Sequence, residues 1–135
     1  MDIAASLSCY VKVCLPVVGA RTAFPKIYDP NRKAVEKEFS EAIAAKGWPA
    51  GLEGVLALQL SAENALDKDT VAGTPTYVAL LGIELACNER MASQAIQCHG
   101  DCVAKLIWLR RDLLGAVDEC GWIKSLDDVI AWQRH

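Results

Sequence analysis

Cys98-His99-Gly100-Asp101-Cys102 is the most motif-like stretch of the chain. Thiolate sulfur and imidazole nitrogen are the donors zinc prefers, so Cys98, His99 and Cys102 could hold a zinc ion. Cys87, eleven residues before Cys98, could supply a fourth ligand. The spacing argues against it. C-x3-C is neither the tight zinc knuckle nor the C-x-x-C redox arrangement, and no second pair stands at finger spacing. Free thiols at the junction of two helices are the plainer reading. Six cysteines and no export signal point to a reducing compartment rather than to a disulfide framework.

Two further groups bear on chemistry. On a helix opening at Pro75, the apolar face is built by Tyr77, Leu80, Leu81, Leu85, Met91, Ala92 and Ala95. Glu84 and Asn88 fall near the middle of that face, one turn apart. On the following helix the face is Val103, Leu106, Ile107, Leu113, Leu114 and Val117, with Arg110 inside it. A buried carboxylate without a partner costs several kcal/mol, on the order of 3–5, or takes up a proton. Glu84, Asn88 and Arg110 are therefore expected to meet across the two helices as a buried polar cluster. The alternative is a pocket that reads a polar ligand. A single carboxylate does not make a general acid–base pair.

Trp108 stands apart from the other tryptophans. It projects with Asp112, Gly115 and Glu119, on the polar side of its helix. An exposed tryptophan is a common binding anchor, so Trp108, Asp112 and Glu119 form the expected binding face. The competing reading is a central helix whose Trp108 face another element covers.

These residues need elements to position them. Helical spacing of Ile3, Leu7, Tyr10, Val11 and Cys14 predicts a helix from about Asp2 to Leu15, ended by Pro16; a strand over 9–13 competes. Residues 17–28 read as extended or looped. Asp29 as cap and Pro30 at the first position predict a second helix, with Val35, Phe39, Ala42 and Ile43 facing the core and Gly47 stopping it. Residues 52–66 read as a helix that Leu58 does not fit, with a short strand over 55–60 as competitor. Thr74 caps and Pro75 opens a helix to about Gln97. Gly100 breaks the pattern, and Asp101 caps another helix to about Glu119. Ser125, with Asp128 three residues on, opens a last short one. The expected fold is all-α: one compact domain over 1–135, of about five or six helices, with a central antiparallel helical hairpin (75–97 and 101–119).

Composition narrows the function classes. A chain of 135 residues fits one domain with a core that needs no staples, and 23% charged residues is ordinary for a globular protein. A net charge of -3, with Arg110-Arg111 and Arg32-Lys33 as its adjacent basic pairs, makes nucleic acid an unlikely partner. No apolar run approaches the roughly 20 residues that span a bilayer. Met1-Asp2-Ile3 puts an acid where a signal peptide carries a positive charge, so a cytoplasmic protein is expected. There is no G-x-S-x-G, Walker loop or G-x-G-x-x-G. The expectation is a non-enzymatic protein-binding module of the small adaptor, accessory or inhibitor type, docking a protein partner or a second copy of itself through a helix face, without a cofactor. The alternatives are a cytosolic thiol or zinc protein using Cys98, His99 and Cys102, and a small enzyme for which Glu84 is the one nominee.

Overall fold

In the computed structural model, Pro75 opens a helix whose start is set by its own sequence. The Thr74 hydroxyl accepts the Tyr77 amide hydrogen at 3.2 Å, and Pro75 occupies the first helical turn, where its missing amide costs nothing. The structure describes residues 3–68, 71–113 and 122–133, with side-chain surroundings for 6–68, 71–111 and 126–132. Among them it forms six helices and no strand: α1 (Ile3–Val18), α2 (Arg32–Lys46), α3 (Gly51–Lys68), α4 (Pro75–Ser93), α5 (His99–Leu113) and α6 (Trp122–Gln133). The all-α expectation holds. Helices occupy both stretches, 9–13 and 55–60, where a strand competed.

α3 and α4 form the centre. α4 packs against α3, α1 and α2, while α3 also takes α1 and α5, and α6 lies on α5. Gln59 meets Asn88 and Glu63 meets Glu84, so α3 and α4 run antiparallel. Leu52 meets Asp101 and Glu63 meets Arg111, so α3 and α5 run parallel. α4 and α5 thus run in opposite directions, and α3 packs against both. This explains Leu58: α3 buries Leu52, Val55, Leu56, Leu58, Gln59 and Ala62, more than one stripe of its surface. Phe39, Ile43, Leu52, Leu80, Ile83 and Met91 are the largest fully buried side chains. Each contributes on the order of 1.5–3 kcal/mol through removal from water.

Close approach of α2 to α4 depends on one missing side chain. A Cβ at Gly82 would overlap the Phe39 ring, which is fully buried against the α4 backbone there. Phe24 then lies on Phe39, with ring centroids 5.7 Å apart. Arg32 fixes the same segment by donating to the Pro25 carbonyl at 2.7 Å.

Several boundaries depart from local expectation. α1 runs through Pro16 to Val18 and ends at Gly19, whose φ of 57° and bond to the Leu15 carbonyl make a left-handed cap. Proline in the last turn displaces little, because few bonds remain to be broken there. Asp29 does not cap α2 directly: its carboxylate accepts the Asn31 amide hydrogen at 2.8 Å, and Asn31 takes the cap position. α4 stops at Ser93 because Gln94 turns extended. α5 starts at His99, so Gly100 lies inside its first turn rather than at a break. α6 begins at Trp122, ahead of the expected Ser125. The expected continuation of the fifth helix to Glu119 lies outside the described residues.

Candidate functional site

α5 does not present Trp108 to solvent. The residue is 8% exposed, and its indole N–H donates to the Asn88 amide oxygen at 2.8 Å. The expected exposure is therefore corrected: α5 is covered by α3 and α6, and an indole faces inward when a polar group on a neighbouring helix can take its proton. The side chain of Asp112 and the whole of Glu119, the other two members of the expected binding face, lie outside the described residues.

The expected cluster of Glu84, Asn88 and Arg110 is also corrected. Among the described residues each of the three has another partner. Asn88 is exposed and bonds Trp108 and Gln59. Arg110 pairs with Asp127 of α6. Glu84 instead lies beside Glu63 of α3, and Glu63 pairs with Arg111. Burial, then the neighbouring Glu63, raises the Glu84 carboxyl above the usual carboxylate range, with Arg111 pulling the other way. The error is one of helical phase. α4 buries the expected Leu80 and Met91, but also Val78, Ala79, Gly82, Ile83, Ala86 and Cys87, so its inward face is centred away from Glu84 and Asn88.

The cysteine junction has a different centre from the one its ligand types suggest. Cys98 and His99 are exposed and Cys102 is half-buried. Among the described residues no three His, Cys, Asp or Glu side chains come together as a metal-binding group. The buried residue of this stretch is Asp101, at 3% exposure. Its carboxylate accepts the amide hydrogens of Leu52 and of Gln97, both at 2.9 Å. Those bonds, with a further one from the Cys98 side chain, hold the Asp101 carboxyl below its ordinary value. Asp101 thus caps the start of α3 from across the fold instead of capping α5. The helix starts approach closely: Gly51 (φ 67°) lies beside the Asp101 carboxylate, and a Cβ at Gly100 would overlap the Glu53 carboxylate. Cys14 and Cys87 lie together in the core, where burial pushes both thiols up to about 12. They are free and packed as apolar groups.

The feature that sequence reading missed lies between α1 and α2. Phe24, Pro25, Ile27 and Tyr28 form one wall of a groove of about 540 Å³, and Leu81 and Leu85 of α4 form the other. Phe24 and Pro25 are pinned by Phe39 and Arg32, yet Ile27 is 86% and Tyr28 80% exposed. The available signal was two large apolar residues set between Pro25 and Pro30, where no periodic element could bury them. Among the described tryptophan side chains it is Trp132 of α6, at 71% exposure, that faces solvent, not Trp108.

Glu84 touches this groove and Asp101 does not. The site can bind by shape and apolar contact; the carboxyls with altered proton affinity are engaged with fold partners. Compared with protein-family models, with curated proteins and with solved structures, the chain matches none of them.

Proposed function

We propose that this chain is a non-catalytic protein-binding module of the cytosol that docks a partner polypeptide in the groove between residues 24–28 and α4. One observation carries the reading. Ile27 and Tyr28 are adjacent, large, apolar and almost wholly exposed at the lip of an apolar groove. Apolar groups held out in water beside a concave apolar wall gain from a partner that covers them. Tyrosine is among the residues that most often dominate such contacts. The position of the surface replaces the helix face around Trp108. Support for a non-catalytic role comes from the groups with altered proton affinity, which serve the fold: Asp101 holds backbone amides, Cys14 and Cys87 are packed in the core, Tyr10 donates to the Gly47 carbonyl, and Glu84 lies against Glu63. The free thiols Cys14 and Cys87 suit a reducing cytosol.

The test is comparative affinity enrichment with the wild-type chain, Ile27→Asp, and Val71→Asp as a control at another exposed apolar residue. A true partner is retained by wild type and Val71→Asp and lost with Ile27→Asp. The purified partner should then bind Ile27→Asp about tenfold or more weaker, with the unfolding midpoint unchanged. Equal retention by all three proteins refutes the groove as the docking surface.

A further inference from the structure

We infer that the segment seated in this groove is acidic as well as apolar: a polypeptide whose aliphatic or aromatic side chains enter between Pro25 and Leu81 and whose carboxylates meet Lys26, Lys33 and Arg21. The inference rests on the docking reading above and adds the partner's chemistry.

The charge distribution carries it. The chain as a whole is net negative, at -3. Residues 21–33 reverse that sign, with Arg21, Lys26, Arg32 and Lys33 against the single carboxylate of Asp29. Arg32 is already matched by Glu36 at 2.8 Å, while Asp29 accepts the Asn31 amide hydrogen, a neutral donor, and keeps its negative charge. Lys26 and Lys33 are exposed and form no ion pair among the described residues. Arg21 donates to the Val17 carbonyl at 2.6 Å, a neutral acceptor that leaves its charge uncompensated. Three cations without an ion-pair partner among the described residues thus stand against the one carboxylate of Asp29: Lys26 lines the groove with Ile27 and Tyr28, Arg21 lines the adjoining cavity that shares Lys26 and Tyr28, and Lys33 lines a neighbouring one that shares Leu85. Opposite charge across an interface sets partner choice and speeds encounter. Glu84 on the far wall is the groove's one carboxylate, and Arg111 beside it and Glu63 offsets part of its charge.

An anionic lipid surface offers the same charge and would accept Ile27 and Tyr28. It is flat, however, and leaves the concave space against Leu81 and Leu85 unfilled, whereas a peptide side chain fills it. The polypeptide is therefore the occupant that uses both features.

The experiment is selection of a phage-displayed library of random peptides of about 12 residues on the full chain. Enriched sequences should pair Leu, Ile, Phe, Met or Trp with Asp or Glu. A synthetic enriched peptide, followed by fluorescence anisotropy, should bind Lys26→Glu/Lys33→Glu about tenfold or more weaker and lose affinity with added salt. Selection on Lys26→Glu/Lys33→Glu should shift the enriched charges toward Lys and Arg. Enriched apolar peptides without acids that still require Ile27 would overturn the charge inference and leave the docking surface standing. Enrichment unaffected by Ile27→Asp, or no enrichment, would overturn both. Binding to phosphatidylserine vesicles that Ile27→Asp abolishes, with no peptide selected, would assign the surface to lipid and refute the inference.

Discussion

The indole nitrogen of Trp108 lies 2.8 Å from the amide oxygen of Asn88, and this bond joins α5 to α4 at the edge of the core. Trp108 is buried and Asn88 exposed, so the bond lets a large apolar side chain enter the core without leaving its N–H unpaired. Trp108→Ala should accordingly lower unfolding stability by about 3–5 kcal/mol, through lost packing and the cavity left behind. Asn88→Ala, which keeps the packing, should cost about 1 kcal/mol. Urea denaturation of the two variants separates these values. A Trp108→Ala loss below about 1 kcal/mol would show that the residue does not belong to the core.

Gly82 and Phe39 make a second coupled pair. A methyl group at Gly82 would occupy the position of the Phe39 ring, so one of the two must move. Gly82→Ala should destabilise by about 1–3 kcal/mol, despite the higher helix propensity of alanine. Phe39→Leu alone should also destabilise, but adding it to Gly82→Ala should cost less than the sum, because the smaller side chain makes room. Additive losses in the double-mutant cycle would contradict the packing described here.

How much of this was legible in the sequence depends on whether the determinant was local. Thr74-Pro75 specifies the start of α4 within four residues, and the structure follows it. The inward face of α4 was misjudged because the helix meets three others, and Ala79, Ala86 and Cys87 are buried without standing out as large apolar residues. Trp108 was judged by Asp112, Gly115 and Glu119 on its own helix, while its partner Asn88 comes from α4. Asp101 has the composition of a local cap, and only the parallel packing of α3 on α5 turns its carboxylate to Leu52. The exposed pair Ile27-Tyr28 gave no periodic signal, since its segment is neither helix nor strand.

Asp101 should reveal itself in amide exchange. Its two oxygens accept from Leu52 and Gln97, one on each side of the junction. Asp101→Asn keeps one accepting oxygen and points an N–H₂ group at the other amide. Hydrogen exchange at Leu52 or Gln97 should then accelerate about tenfold or more, while amides in the middle of α4 change little. The lowered Asp101 proton affinity also fixes a sign. Its contribution is present above the ordinary carboxylate value of about 3.9 and lost as the pH falls through the still lower folded value. Stability should therefore decline less steeply below about pH 4 in Asp101→Asn than in the wild type. Unchanged exchange at both amides would remove the clamp.

Glu84 has the opposite sign. Burial and the neighbouring Glu63 raise its carboxyl in the folded protein. The folded state therefore binds more protons than the unfolded chain between the ordinary glutamate value, about 4.3, and the raised folded value. Stability must fall as pH climbs through that window, and the penalty is fully present above it. Arg111 offsets part of this penalty by attracting both carboxylates. Glu84→Gln keeps the shape, donates an amide hydrogen to the Glu63 carboxylate, and cannot ionise. The variant should match the wild type near pH 4 and exceed it at pH 7, the two curves separating through the window in between. Urea midpoints measured across that range test the arrangement directly. A variant that is less stable at pH 7 than at pH 4, relative to wild type, would mean that ionised Glu84 is stabilised by Arg111 more than it is disfavoured by Glu63 and burial.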